Sequence, residues 1–195
     1  MRNVYVASAP DFRAVKLTKF NDDDGVDVSS VQLSDDGSMA VFVRGSGQNR
    51  AGWVANPSHD PDGGERAIWA AKTDGSGAWR LAVLTGNEVG GGRGVGGPAL
   101  SPDGRLVVFV KDGQIYRART ARGAATPVDT GGVPFIKQWG RQGNLSWSPD
   151  GSKIAFVSTR DNHSFIGLYD MKTRDVAFIF DDQHGLGAFG QCFGV

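Results

Sequence analysis

Cysteine is all but missing from the sequence, and its scarcity removes a class of folds. Cys192 is the only one in 195 residues, so no disulfide can form within the chain and no Cys-x-x-Cys metal or redox pair exists. A lone thiol in that position reads as incidental rather than nucleophilic. Glutamate is nearly as rare, with only Glu65 and Glu88. Charge of one sign is lacking too: Lys+Arg and Asp+Glu both number 21, and no basic run could track a phosphate backbone. Nucleic acid is therefore not an expected partner. No apolar run is long enough to span a bilayer, and Met1 to Val6 lacks the apolar core of a signal peptide. No membrane partner is expected. Helical periodicity is absent beyond a turn or two.

Glycine is plentiful, at 29 residues against 8 prolines, and has no collagen period. Many glycines imply many tight turns, and many turns imply many short strands. Hydrophobic residues make up 39%, enough for a packed core.

Three segments repeat, over 31–43, 98–110 and 145–157. Each reads apolar residue, Ser, Pro or Asp, Asp, Gly, polar residue, then an apolar strand containing Phe. The physical reading is a β-hairpin. Pro102 and Pro149 fix φ at the first central turn position, and Asp103 and Asp150 tolerate the next. Gly104 and Gly151 can adopt φ > 0, and Ser101 and Ser148 can accept a backbone N–H. The first copy holds Asp36 and Gly37 at the matching places, with Asp35 instead of proline. That exchange costs turn stiffness but not turn geometry.

A second strand pattern follows each hairpin: Ala67 to Ala70, Gln114 to Ala118 and Ile166 to Asp170. A third follows after a polar turn: Trp79 to Val83, Ala125 to Val128 and Asp175 to Ile179. The sum is about four strands per unit, the makeup of a propeller blade. Ser101 and Ser148 lie 47 residues apart, near the period of blade repeats. Ser34 and Ser101 lie 67 apart, and the excess sits in Gly45 to Glu65 and Gly90 to Gly97, which read as loop insertions.

The expected fold is all-β: a partial β-propeller of three to four four-stranded antiparallel blades over 1–182, with an irregular tail over 183–195. Three units and part of another at Asn3 to Val15 cannot close a ring, since closed propellers carry four to eight blades. The strand pattern also begins almost at once. The chain is expected to be a fragment of a larger ring, starting inside a longer protein.

The Ser-Pro-Asp-Gly hairpin, its apolar strand and the Ile-Tyr-containing strand after it resemble the propeller repeat of two groups. One is the N-terminal propeller of prolyl oligopeptidase-type serine peptidases, of the dipeptidyl peptidase IV and acylaminoacyl peptidase kind. The other is the periplasmic translocation protein TolB. Leu17-Thr18-Lys19 resembles the blade-ending element of the peptidase group. That resemblance implies a serine peptidase parent, with its triad on a separate α/β-hydrolase domain missing from this chain. The propeller would then meet peptide substrates only indirectly, by gating them. It implies a parent that is periplasmic or secreted, with the cytoplasm as the alternative. The TolB-like reading implies instead a propeller that binds protein partners.

The family's chemistry has no residues to carry it here. No serine has glycine two residues away on both sides, as a nucleophile elbow requires. Dipeptidyl peptidases hold a substrate amine with paired propeller glutamates; Glu65 and Glu88 are far apart in sequence and in loop-like stretches, so that role is not assigned to them. His59, His163 and His184 sit in separate turn-like contexts, which favours surface loops over a metal or catalytic set. Gly92 to Gly97 fits G-x-G-x-x-G but leads into Pro98 and a hairpin rather than a helix, so no phosphate site follows. Asp60 to Gly64 lacks the spaced ligands of a calcium loop. No catalytic, cofactor-binding or metal-binding residue is assigned, and the chain alone is not expected to be an enzyme. Trp69 and Trp147 fall on strands and read as core. Trp53, Trp139 and the adjacent Arg141 are the candidates for facing a ligand, with packing of their loops on the blades as the plainer reading.

Overall fold

In the computed structural model the residues described are 2–20, 25–45, 53, 55–56, 59, 64, 66–84, 97–111, 114–121, 141–160 and 163–179. The expected strand Ala125 to Val128 and the tail 183–195 lie outside them. No helix occurs among the described residues.

Thirteen strands are present among the described residues: β1 (Tyr5–Ser8), β2 (Arg13–Lys16), β3 (Val28–Leu33), β4 (Met39–Arg44), β5 (Ala67–Lys72), β6 (Ala78–Val83), β7 (Ala99–Leu100), β8 (Leu106–Lys111), β9 (Gln114–Arg119), β10 (Arg141–Trp147), β11 (Lys153–Arg160), β12 (His163–Asp170) and β13 (Val176–Ile179). They pair in sequence order into four antiparallel sheets, β1-β2, β3-β4-β5-β6, β7-β8-β9 and β10-β11-β12-β13. Among the described residues the sheets stack face to face and close no ring. The fold is a partial β-propeller.

The apolar runs of the second strands follow from burial on both faces, which replaces simple alternation with continuous hydrophobicity. In β4, Ala40 and Phe42 face the first sheet, while Val41 and Val43 face the third. In β8, Val107 and Phe109 turn back to the second sheet, and Val108 and Val110 forward to the fourth. Ile154 and Phe156 of β11 turn back in the same way. The repeated phenylalanine is thus the residue each blade drives into the blade before it.

The three turns share one hydrogen-bond pattern. Gly37, Gly104 and Gly151 N–H groups donate to Ser34, Ser101 and Ser148 carbonyls at 2.9, 2.8 and 2.9 Å. The glycines hold φ of 68°, 68° and 69°. Each serine hydroxyl donates to its aspartate at 2.6 Å. It also accepts the N–H of Met39, Leu106 or Lys153 at 3.0, 2.9 or 2.8 Å.

Consecutive turns also stack. Asp35 N–H donates to Pro102 O at 3.1 Å, a bond that a proline at position 35 could not make. A Cβ on Gly104 would lie 3.0 Å from Ser34 Cβ and 3.2 Å from Met39 Cβ, whereas one on Gly37 would meet nothing within 4 Å. Gly37→Ala therefore carries only the left-handed backbone cost of about 1–2 kcal/mol. Gly104→Ala adds overpacking of about 1 kcal/mol or more. Urea midpoints of the two variants should separate in that order; equal losses would refute the stacking.

The seams are stitched in other places as well. Leu100 N–H donates to Gln32 Oε1 at 2.9 Å, Trp79 Nε1 to Thr120 O at 3.1 Å and Trp147 Nε1 to Ala99 O at 3.0 Å. Within a single blade, the Thr73 and Thr120 hydroxyls donate to the turn carbonyls of Gly37 and Gly104 at 2.6 and 2.5 Å. Met171 stands at the matching place of the fourth sheet, where its N–H bonds Ser152 O as Thr73 bonds Ser38 O.

Candidate functional site

The register sorts the connections onto two edges. Val28, Arg44, Ala67 and Val83 form one row across the second sheet, and Arg141, Thr159 and Ser164 the matching row across the fourth. The long connections 45–66 and 84–98 are anchored on this edge, as is the chain entering β10. The short Ser-x-Asp-Gly turns occupy the opposite edge. Function in propellers is carried by loops on a rigid scaffold, so the loop-bearing edge is the candidate binding site.

The first strand of a blade is kinked as it leaves this edge. Ser30 and Asn144 hold φ of 52° and 51°, each four residues before its turn serine. The β3-β4 ladder skips between Ser29 and Gln32, and the β10-β11 ladder between Gly143 and Ser146. Left-handed non-glycine residues in a bulge store strain of order 1–3 kcal/mol. The middle copy holds Gly97 at the same offset, and a Cβ there would lie 2.8 Å from Ser30 Cβ and Oγ. Glycine lets the two blades approach at this point. The sequence held the signal, since Ser, Gly and Asn are small residues at one repeat position and Asn tolerates the left-handed region.

Arginines and aromatic rings meet at the second sheet's end of this edge. Arg2 pairs with Asp27. The Arg44 guanidinium lies 4.4 Å from the Phe20 ring centre, and Phe20 in turn packs edge-on against Trp69 at 5.5 Å. Arg66 is buried just ahead of β5, and Arg141 opens β10. Gln142, beside Arg141, is buried with its Oε1 lacking a hydrogen-bond partner. An orphaned buried acceptor costs about 1–3 kcal/mol.

The ligand-facing candidates divide. Arg141 is on the loop-bearing edge, and Trp53 is 73% exposed in the 45–66 connection. Trp139 lies outside the described residues, as do Glu65, Glu88, His184 and Cys192. Of the other histidines, His59 is exposed in a left-handed turn, and His163 stacks on Phe165 at 6.4 Å. Among the described residues no three His, Cys, Asp or Glu side chains converge as metal ligands.

Asp36, Gly37, Pro102, Asp103, Gly104, Pro149, Asp150 and Gly151 sit on the opposite edge as turn formers. The serine hydroxyls and the following backbone N–H groups stabilise the ionised carboxylates, holding Asp36 and Asp150 at about 2 against an ordinary value of 3.8, and Asp103 lowered as well. A depressed folded-state value means the stabilisation is complete above the ordinary value and is lost as pH falls towards 2. The melting temperature should therefore drop between about pH 4 and pH 2. The Asp36→Asn/Asp150→Asn variant should show a shallower drop; an unchanged slope would dismiss these turns as acid-sensitive elements.

No protein-family model matches the chain, and no curated protein matches it. Solved structures share its fold. An oligogalacturonate lyase solved with manganese superposes with a TM-score of 0.64 at 14% identity, over 91% of this chain and 47% of that one. A prolyl endopeptidase gives 0.56 at 14%, over 92% and 26%. TolB from Acinetobacter baumannii gives 0.53 at 16%, over 92% and 38%. The chain spans less than half the length of each, and identities this low establish a common fold alone.

Proposed function

We propose that the chain is a non-catalytic propeller segment of a prolyl oligopeptidase-type serine peptidase, where it covers the hydrolase site and admits short peptides. The observation that carries this reading is the blade-ending element at Leu17-Thr18-Lys19. Leu17 is buried between the first two sheets. The Thr18 hydroxyl accepts Val4 N–H at 3.0 Å and donates to Asn3 Oδ1 at 2.8 Å. Asn3 also holds Phe20, taking its N–H at 3.1 Å. The element thus closes one blade and directs the chain to the next, as the resemblance requires. The fold likeness to a prolyl endopeptidase over 92% of this chain supports the same reading.

The test has two parts. The 195-residue chain should neither hydrolyse prolyl peptide substrates nor react with a fluorophosphonate probe. The genomic DNA flanking its coding sequence should encode, in frame, a G-x-S-x-G elbow followed by Asp and His. Stop codons on both sides with no hydrolase nearby would end the peptidase reading. The second reading, a TolB-like module for protein partners, rests on the loop-bearing edge with its exposed Trp53. Recovery of one stoichiometric protein partner, lost on Trp53→Ala, would favour it.

A further inference from the structure

One cross-strand pair recurs in all three blades. Val43 faces Ile68, Val110 faces Ile115 and Val157 faces Ile166, in identical register. The first two pairs are closed off by the sheet that follows. Val43 and Ile68 are 1% and 0% exposed beneath Val107 and Phe109. Val110 and Ile115 are 3% and 7% exposed beneath Ile154 and Phe156. The third pair keeps the same residues, yet Ile166 is 50% exposed. Around it the pairing aligns Ala155 with Leu168, Leu168 with Ala177 and Ile166 with Ile179, which is 51% exposed. The face carries no charged side chain at any of these positions. An open isoleucine beside a half-buried valine, at the very positions that are seams in the two preceding blades, marks this face as a third seam.

We propose that the outer face of the fourth sheet, centred on Val157 and Ile166, is the seat of one further blade of this same repeat. The occupant is an antiparallel sheet whose second strand turns an aliphatic-x-Phe pair onto the seat, as Val107-x-Phe109 and Ile154-x-Phe156 do at the other seams. The proposal follows from continuity with those seams and is independent of any peptidase role.

The experiment compares Ile115→Lys with Ile166→Lys, first in the 195-residue chain and then in that chain carrying a second copy of residues 141–179 after Val195. Ile115→Lys should unfold the chain. Ile166→Lys should shift its melting temperature by less than about 2 °C and reduce the fluorescence of bound anilinonaphthalene sulfonate. In the extended chain the dye signal should fall without any substitution, and Ile166→Lys should become as damaging as Ile115→Lys. Three outcomes would overturn the proposal. Ile166→Lys could unfold the 195-residue chain, showing the face already covered. It could stay silent in the extended chain. The 195-residue chain could form a stable dimer that Ile166→Lys splits, making a second copy the occupant.

Discussion

Replacing Gly167 by alanine should cost the protein about 1–3 kcal/mol or more, the scale of overpacking in a closed core. Gly167 pairs with Phe156 across β11 and β12, and an added Cβ would fall 2.2, 2.6 and 2.7 Å from three atoms of the Phe156 ring. The same repeat position holds Trp69 in the second sheet and Tyr116 in the third. Those rings lie parallel to Phe42 at 6.5 Å and to Phe109 at 6.0 Å. In the fourth sheet the Phe156 ring has moved into the space that the missing side chain leaves, and meets Phe178 edge-on at 6.1 Å. The clash is therefore with a ring that is 1% exposed and has nowhere to retreat. At this chain length each kcal/mol lowers the melting temperature by about 2–4 °C. Chemical denaturation should show the loss, and Gly167→Ala/Phe156→Leu should recover part of it. A Gly167→Ala protein within about 0.5 kcal/mol of the parent would show that the ring yields freely.

A larger loss is expected from Phe109→Ala, about 3–5 kcal/mol. Phe109 is 0% exposed and sits in the seam between the second and third sheets with Val41, Val43, Ile68 and Ala70. Truncation removes its transfer free energy, opens a cavity between two sheets that strand pairing holds in place, and abolishes the ring stack with Tyr116. Single domains are stable by only about 5–15 kcal/mol, so this one side chain is a large share of the total. Phe12, 66% exposed in the first hairpin, provides the contrast: Phe12→Ala should stay within about 0.5 kcal/mol. Similar losses from both variants, read from urea unfolding, would mean that the seam is not the stabilising core.

The hairpin repeat was legible because turn chemistry is local. Ser, Asp and Gly at fixed offsets satisfy their own backbone groups within a few residues, and each such turn appears at its expected place. The strand patterns after the turns were legible for the same reason, since β-branched and aromatic residues need only a pleated, buried surface. Trp69 and Trp147 were correctly placed on strands. The kinks at Ser30 and Asn144 were not read, because a single small polar residue in a strand has many explanations until two copies superpose. The threonines after β5 and β9 were likewise missed, since each bonds a carbonyl that is 16 or 36 positions away.

Sequence alone determined the strand-and-turn unit, its repetition and hence the blade architecture, because those depend on period and on residues close along the chain. Tertiary structure decided which face each apolar residue takes. It also decided that Asp35 spends its N–H on Pro102, that Gly97 and Gly167 stand where another blade or ring presses in, and that the connections 45–66 and 84–98 are anchored on one edge. These are consequences of how sheet lies against sheet, and the contacts that enforce them join residues whose separation along the chain carries no pattern.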